Sequence, residues 1–364
     1  MRGMAMDGQT EDSHVARPGH TAARSGTARG SSQSGDLRGA AVFTLLALAL
    51  AWIVMLPLWI LVEGDPVYGE PGADADAAMS ALSGGDPEAV PSPDEIVRLL
   101  LLQLFPTAMM LTPAVAAWLS VRWVDGVRFR RMFRVLGFTV RSARGLHPVV
   151  VILLWSGIAI IATPVLVALT VAVAAALGFL DLDTSIPALA PSAAVSGIPV
   201  LVLFLLQVAA IPFAAVLPNG LLAAGEEIGW RGYLLPRLIR LWGTPAAVLA
   251  SGVVWGLWHA PLILLGYNFA RPHAGGVLLM IAGCVAAGAW LSWLRVRSGT
   301  VWPAIFAHGA LNASAGLYLL LSASPDVDGA TAGPLGVAGW IVFGVTGAVL
   351  LGAFARRRGL DTAS

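Results

Sequence analysis

The sequence predicts an all-α protein, a polytopic transmembrane helical bundle of about eight spans. Three observations support this. Of 364 residues, 57% are hydrophobic and only 12% charged, about half the charged share of a soluble domain. Mean hydropathy is +0.79. Apolar runs close to the 20 residues that cross a bilayer core recur along the chain. A water-soluble chain of this length would need far more polar side chains to cover its surface.

The same composition excludes several functions. Net charge is +1, which gives no basic surface for nucleic acid. All 22 basic residues are arginine, so Schiff-base and lysine-base chemistry are absent. The single cysteine, Cys284, excludes an internal disulfide and a cysteine-based zinc cluster.

Residues 1–38 are rich in Gly, Ser, Thr, Ala, Arg and His and cannot bury enough apolar surface to offset ordering entropy. They are expected to form a disordered cytoplasmic tail. The first apolar run is too long and too far from Met1 for a secretory signal. Spans are expected at 40–62, 97–121, 148–177, 198–229, 245–266, 274–294, 300–322 and 334–355. The fourth is too long for one straight crossing, and Pro212, Pro218 and Asn219-Gly220 predict a kink there. Residues 39–180 thus hold the N-terminal transmembrane helices, 195–322 a second membrane domain, and 334–364 the last helix with a basic tail.

Arginines mark alternate connections: 5 before span one, 7 after span two, then Arg231, Arg237 and Arg240, Arg295 and Arg297, and Arg356 to Arg358. The remaining connections are acidic, with Asp65, Glu70, Asp74, Asp76, Asp86 and Glu88, then Asp181 and Asp183, then Asp326 and Asp328. Only Arg98 and Arg271 depart from this alternation. The positive-inside rule then puts both termini in the cytoplasm of a multi-pass cell-membrane protein. The arginine-only, Ala- and Gly-rich composition points to a GC-rich bacterial genome. Trp59, Trp123, Trp242, Trp293 and Trp302 sit near span ends, as in an interfacial belt. Gly252 and Gly256 form a GxxxG, which lets helices approach closely. No solenoid repeat or duplicated half is visible.

Ionisable groups inside spans are costly and mark functional sites by default. Here they are Glu226, Glu227 and Arg231, then His259, then His308 with the amide of Asn312. If Pro236 ends one helix and Gly299 begins another, Glu226 and His308 lie roughly 13–15 Å from the cytoplasmic end. His259 lies somewhat deeper. Glu227 and Arg231 are i, i+4, with the acid N-terminal to the base, which is the favourable order. Glu226 is rotated about 100° onto another face and needs a partner from another helix, with His259 and His308 available. His308 and Asn312, also i, i+4, can both offer N–H donors to a developing oxyanion.

Taken singly, each group has a structural reading. Glu227–Arg231 can be an ion pair, each histidine a hydrogen bond between helices, and Trp255 a core or pocket-wall residue. His14, His20 and His147 are expected in solvent and His273 at an outer turn. Tyr233, Asn268 and Cys284 have no motif to support a role.

Taken together, Glu226-Glu227-Ile-Gly-Trp-Arg231, Trp255-Gly-Leu-Trp-His259 and His308-Gly-Ala-Leu-Asn312 resemble the CPBP or Abi family, the CAAX prenyl-protease-2 and bacteriocin-processing proteins. That family's pattern is EExxxR, FxxxH and HxxxN. Trp255 stands where phenylalanine is usual. The resemblance covers roughly residues 195–320 and leaves the tail and the first three spans without a transferable role.

The resemblance implies an intramembrane endopeptidase acting on a membrane-associated protein or peptide. By analogy, Glu226 and His259 activate the attacking water, His308 and Asn312 hold the oxyanion, and Glu227, Arg231 and Trp255 support them. Hydrolysis needs such a base and such an acceptor site. The family is often described as metalloproteases, and Glu226, His259 and His308 could hold a zinc ion with an open fourth position. No HExxH is present, and a glutamate-activated water without metal is equally sound chemistry. A non-enzymatic immunity or scaffold protein and, with less support, a proton-coupled transporter remain as other readings of the same residues.

Overall fold

A computed structural model describes residues 21–68, 93–140 and 146–361. The first 20 residues of the expected tail lie outside the described residues. So do Glu70, Asp74, Asp76, Asp86, Glu88, Arg141 and Arg144. Helix α1 spans Thr21–Leu61 and begins within the segment read as a tail. Its buried residues Phe43, Ala47, Ala51, Met55 and Leu58 repeat every three or four positions and form one stripe against the bundle. Leu45, Ile53, Leu56 and Ile60 are exposed on the other faces. An apolar outer surface of this kind suits lipid rather than water.

Helices α2 (Pro93–Met110) and α3 (Thr112–Leu119) run into a π-helical turn at Ser120–Val124. A short helix, α4 (Phe129–Val135), follows, then the long α5 (Pro148–Ala176). Next come α6 (Ala190–Ser196) and α7 (Val200–Val216). The segments Pro187–Ser196 and Val200–Val216 meet at a bend of 105°. Then α8 (Asn219–Glu227), a π-helical turn (Ile228–Leu234) and α9 (Leu235–Trp258) form one 40-residue run. The chain ends with α10 (Ala260–Ile263), α11 (Ala274–Ser298), α12 (Trp302–Ser314), α13 (Leu317–Leu320), α14 (Gly329–Ala332) and α15 (Val337–Asp361).

Among the described residues, six helices are long and apolar enough to cross a membrane, or seven if the bent pair counts as one span. The hydropathy reading has eight. The difference lies in the second half of the chain. The expected fourth span breaks between Val216 and Asn219, and its second part runs forward as α8 into α9. Pro236 does not end that helix. The π turn lets α9 start afresh at Leu235, which puts the proline in its first turn, where a missing N–H costs nothing. The direction change comes instead at Gly243, with φ 76° and ψ 170°, a left-handed φ that suits glycine. The expected seventh span is divided into α12 and α13.

Arg231, Arg237 and Arg240, counted among loop arginines by charge pattern, all lie within this helical run. Arg237 binds Asp125 and packs 3.5 Å over the Tyr233 ring. Arg240 holds Asp36 at 2.6 and 2.7 Å. Arg271, an exception to the charge alternation, pairs through both nitrogens with Asp328 at 2.8 and 3.0 Å. Two histidines expected in loops cap helices. His147 accepts from the N–H of Val149 at the start of α5, and His273 from that of Gly275 at the start of α11.

The central helix is α11, with 61% of its apolar window buried against 28–33% for the other candidate spans. Gly283, Cys284, Ala286, Ala287, Gly288 and Ala289 are all buried along it, and such small residues let neighbouring backbones come close. The GxxxG of α9 serves this packing. A Cβ on Gly252 would lie 2.6 Å from the Val285 Cα, and one on Gly256 2.4 Å from the Ile281 Cα.

Gly256→Val should therefore force α9 and α11 apart. The expected loss is about 1–3 kcal/mol of stability, the usual cost of overpacking, read as a lowered unfolding midpoint in detergent. Asp328 gives a second prediction. Hydrogen bonding by Arg271 holds its carboxyl below the ordinary 3.8. A depressed folded value contributes stability above the unfolded value, lost as pH falls through the folded one. Arg271→Gln should remove that acid-range component. Because both side chains are more than a third exposed, the effect at neutral pH should be small.

Candidate active site

Four helical segments bring the candidate residues together. Glu226 and Glu227 end α8, and Arg231 lies in the π turn that follows. Trp255 lies in the last turn of α9, with His259 at its C-terminal cap. His308 and Asn312 lie on α12, and α11 forms the floor. Glu226, Glu227, Arg231, Trp255, His259 and His308 are all buried.

The two adjacent glutamates point to different partners, as their 100° separation requires. Glu227 Oε1 accepts from Arg231 Nη1 at 2.9 Å and from His308 Nδ1 at 2.9 Å. The expected i, i+4 ion pair thus forms even though the π turn begins between its members. Glu226 Oε2 accepts from Trp255 Nε1 at 2.7 Å. Sequence reasoning looked to the histidines as partners of Glu226 and gave Trp255 the role of wall. It missed the indole N–H, a donor that a phenylalanine at this position would lack.

Trp255 is central to the cluster. Its ring lies 5.2 Å from that of His308 and 5.9 Å from that of His259, between centroids. The Arg231 guanidinium carbon sits 4.6 Å above the Trp255 ring, a cation–π arrangement that gains strength away from water. Arg231 fits because residue 288 is glycine. A Cβ there would lie 2.9 Å from Arg231 Nη2. The Arg231 carbonyl accepts from Arg295 Nε at 3.0 Å, which ties the π turn to α11.

The hydrogen-bond partners define which nitrogen each histidine leaves free. His259 Nδ1 lies 2.9 Å from the Trp255 carbonyl oxygen. A carbonyl can only accept, so Nδ1 carries the hydrogen and Nε2 keeps its lone pair. Trp258 packs edge-on against this ring at 4.7 Å and donates its own Nε1–H to Thr112 Oγ1 at 3.0 Å. Cys284 Sγ lies 3.8 Å from His259 Nδ1, a proximity with no sequence signal because Cys284 stands 25 residues away on α11. His308 donates from Nδ1 to an arginine-paired carboxylate. Its Nε2 carries a hydrogen only when the ring is an imidazolium.

Asn312 behaves differently from the rest. It lies one turn beyond His308 on α12, but it is exposed and has no side-chain hydrogen bond to a described residue. Tyr267, which has no motif, comes within electrostatic reach of Glu226. Its side chain is exposed at the surface and packs edge-on against the Tyr68 ring at 5.2 Å.

Among the described residues, no three His, Cys, Asp or Glu side chains converge as ligands, the expected set of Glu226, His259 and His308 included. Both histidines use Nδ1 in a hydrogen bond and leave Nε2 over, as histidine ligands also do.

Comparison with known proteins agrees with the motif reading. Residues 195–314 match a family model described as type II CAAX prenyl endopeptidase, Rce1-like. This stretch includes every candidate residue. A curated protein named CAAX prenyl protease 2 from Methanococcus maripaludis is 41% identical over 58 residues. That alignment covers 16% of this chain and 21% of the relative, so the chain spans about a fifth of the curated relative it matches.

Trp255→Phe should leave Glu226 Oε2 without its indole donor. A buried acceptor stripped of its partner costs about 1–3 kcal/mol, so the variant should unfold at a lower midpoint than the parent. Pairing it with Glu226→Ala, which removes the acceptor, should show coupling in a double-mutant cycle, whereas a purely packing role for Trp255 predicts additive losses.

Proposed function

We propose that this chain, whose residues 195–314 resemble the type II CAAX prenyl endopeptidases, is a membrane-embedded endopeptidase. It hydrolyses a peptide bond of a membrane-associated protein or peptide. The observation that best supports this is the buried carboxylate of Glu226, oriented by Trp255 Nε1. Beside it His259 and His308 flank the same indole ring.

The chemistry follows from the free atoms. Glu226 holds the attacking water, with His259 Nε2 as the second acceptor. As the water oxygen bonds to the carbonyl carbon, its proton passes to this acceptor pair. The carbonyl oxygen becomes an oxyanion, which takes hydrogen bonds from His308 Nε2–H, in the imidazolium form, and from the amide of Asn312. Collapse of that intermediate breaks the C–N bond, and the proton held by the acceptor pair goes to the leaving amine. Glu227 orients His308 through Nδ1. Arg231 holds Glu227 in place. An exposed Asn312 is consistent with a donor whose acceptor arrives with the substrate, since apo geometry often leaves catalytic hydrogen bonds unmade.

Glu226→Gln should lower turnover of a membrane-associated peptide by about 10²–10⁴-fold, the usual contribution of a general base. Protein level and unfolding midpoint should be retained. His259→Ala should do the same, and Asn312→Ala should cost about 10²–10³-fold through kcat, the cost of losing one oxyanion donor. Purified protein in detergent, assayed by mass spectrometry of the cleaved peptide, is the measurement. Normal turnover in Glu226→Gln and His259→Ala would refute the reading. Loss of abundance with partner binding intact would favour a scaffold instead.

A further inference from the structure

Two apolar concavities lie outside the site. One sits on α5 and is lined by Leu153, Leu154, Ile158 and Ile161 of that single helix, as any lipid-facing surface can be. The other, of about 320 Å³, is a groove between α3 and α4, walled by Ala114, Trp118, Phe129, Met132, Phe133 and Ile228.

Its surroundings set the second groove apart. On α4, Phe129, Met132, Phe133 and the adjoining Leu136 line the groove, at positions i, i+3, i+4 and i+7 that share one helical face. Of the remaining positions, Arg130, Arg131 and Arg134 are exposed, and Val135 is partly buried. Arg122 and Arg128, also exposed, stand at the same end of the second span. None of these five arginines is ion-paired with a described residue. Arg237, Arg240 and Arg271 by contrast each hold an aspartate. The nearby Asp125 is already taken by Arg237. Trp118, Trp123 and Phe129 are exposed beside the cluster, as aromatic side chains are at a membrane–water boundary.

We propose that this groove is a binding site for an anionic phospholipid. One acyl chain lies in the groove, and the phosphodiester headgroup meets the unpaired arginines of α4. The apolar walls alone would accept any acyl chain. The charge supplies the selectivity, because basic clusters where a helix leaves the membrane attract anionic headgroups. Arg130, Arg131 and Arg134 leave the helix away from its apolar face, and their long flexible stems let the charged heads reach the headgroup level. An occupied groove also touches the candidate site. Ile228, in its wall, follows Glu227 directly and begins the π turn that carries Arg231. Gly229 packs so closely on Pro113 that a Cβ would lie 2.6 Å from that ring.

The test is lipid retention, which is independent of peptide cleavage and so of the endopeptidase reading. The full chain would be reconstituted in nanodiscs of phosphatidylcholine with and without phosphatidylglycerol, then released and weighed by native mass spectrometry. The parent should retain phosphatidylglycerol in preference to phosphatidylcholine. Replacing Arg130, Arg131 and Arg134 together by serine should reduce that preference at least about tenfold. The triple lysine replacement should keep most of it. Ala114→Trp, which fills the groove and leaves every arginine in place, should also lose the bound lipid. The arginine variants change exposed side chains only, and matching unfolding midpoints would confirm that they fold. Equal retention of both lipids by the parent would overturn the proposal. So would an unchanged preference in the serine variant.

Discussion

Glu227 and Arg231 are charges taken out of water altogether, in a bundle whose outer surface is apolar. Moving such ions into a low-dielectric interior costs several kcal/mol each, and attraction between them offsets this only when the remaining donors and acceptors are also used. Much of the surrounding structure follows from that demand. His308 donates to the same carboxylate oxygen that Arg231 holds. The Trp255 ring lies under the guanidinium. Gly288 leaves the room a side chain would take, and Arg295 caps the carbonyl of Arg231. Glu227 Oε2 and Arg231 Nε, both fully buried, have no hydrogen-bond partner among the described residues, so the cluster keeps unused hydrogen-bonding capacity in its interior. A pair retained at this cost for stability alone would be replaceable by apolar side chains of similar volume.

The π turn at Ile228–Leu234, with the bend at Gly243, makes this arrangement possible within one unbroken stretch of chain. It follows the glutamates, and π-helical turns are frequent at functional sites. By resetting the helix at Leu235 it places Pro236 where its missing N–H does no harm. The backbone then runs on to deliver Trp255 and His259 to the same cluster that the glutamates occupy. Close packing through Gly225, Gly229, Gly252 and Gly256 brings the neighbouring segments near enough for short bonds between side chains.

The arginines divide into groups that local sequence does not distinguish. Some lie in connections between spans, where the positive-inside rule counts them. Arg237, Arg240 and Arg271 pair with aspartates from distant segments. Arg231 is buried as part of the candidate site. The cluster on α4 is exposed and has no ion-pair partner among the described residues, beside an apolar groove. Charge counting treats all of them alike, because positive-inside reasoning reads only residue type and place along the chain.

The amino-acid pattern by itself determined the helical membrane architecture. Apolar runs and scarce charge leave no soluble alternative, and the few charges left inside spans mark Glu226, Glu227, Arg231, His259 and His308. The i, i+4 pairing of Glu227 with Arg231 was also legible, because helical periodicity is local. Only the tertiary structure decided that Glu226 bonds to the indole of Trp255, that His308 bonds to Glu227 and that Cys284 lies by His259. It also divided the expected fourth and seventh spans and left Asn312 exposed. These outcomes depend on how separate helices rotate and approach one another. Small residues far along the chain set that geometry, and no periodicity within a single segment encodes it.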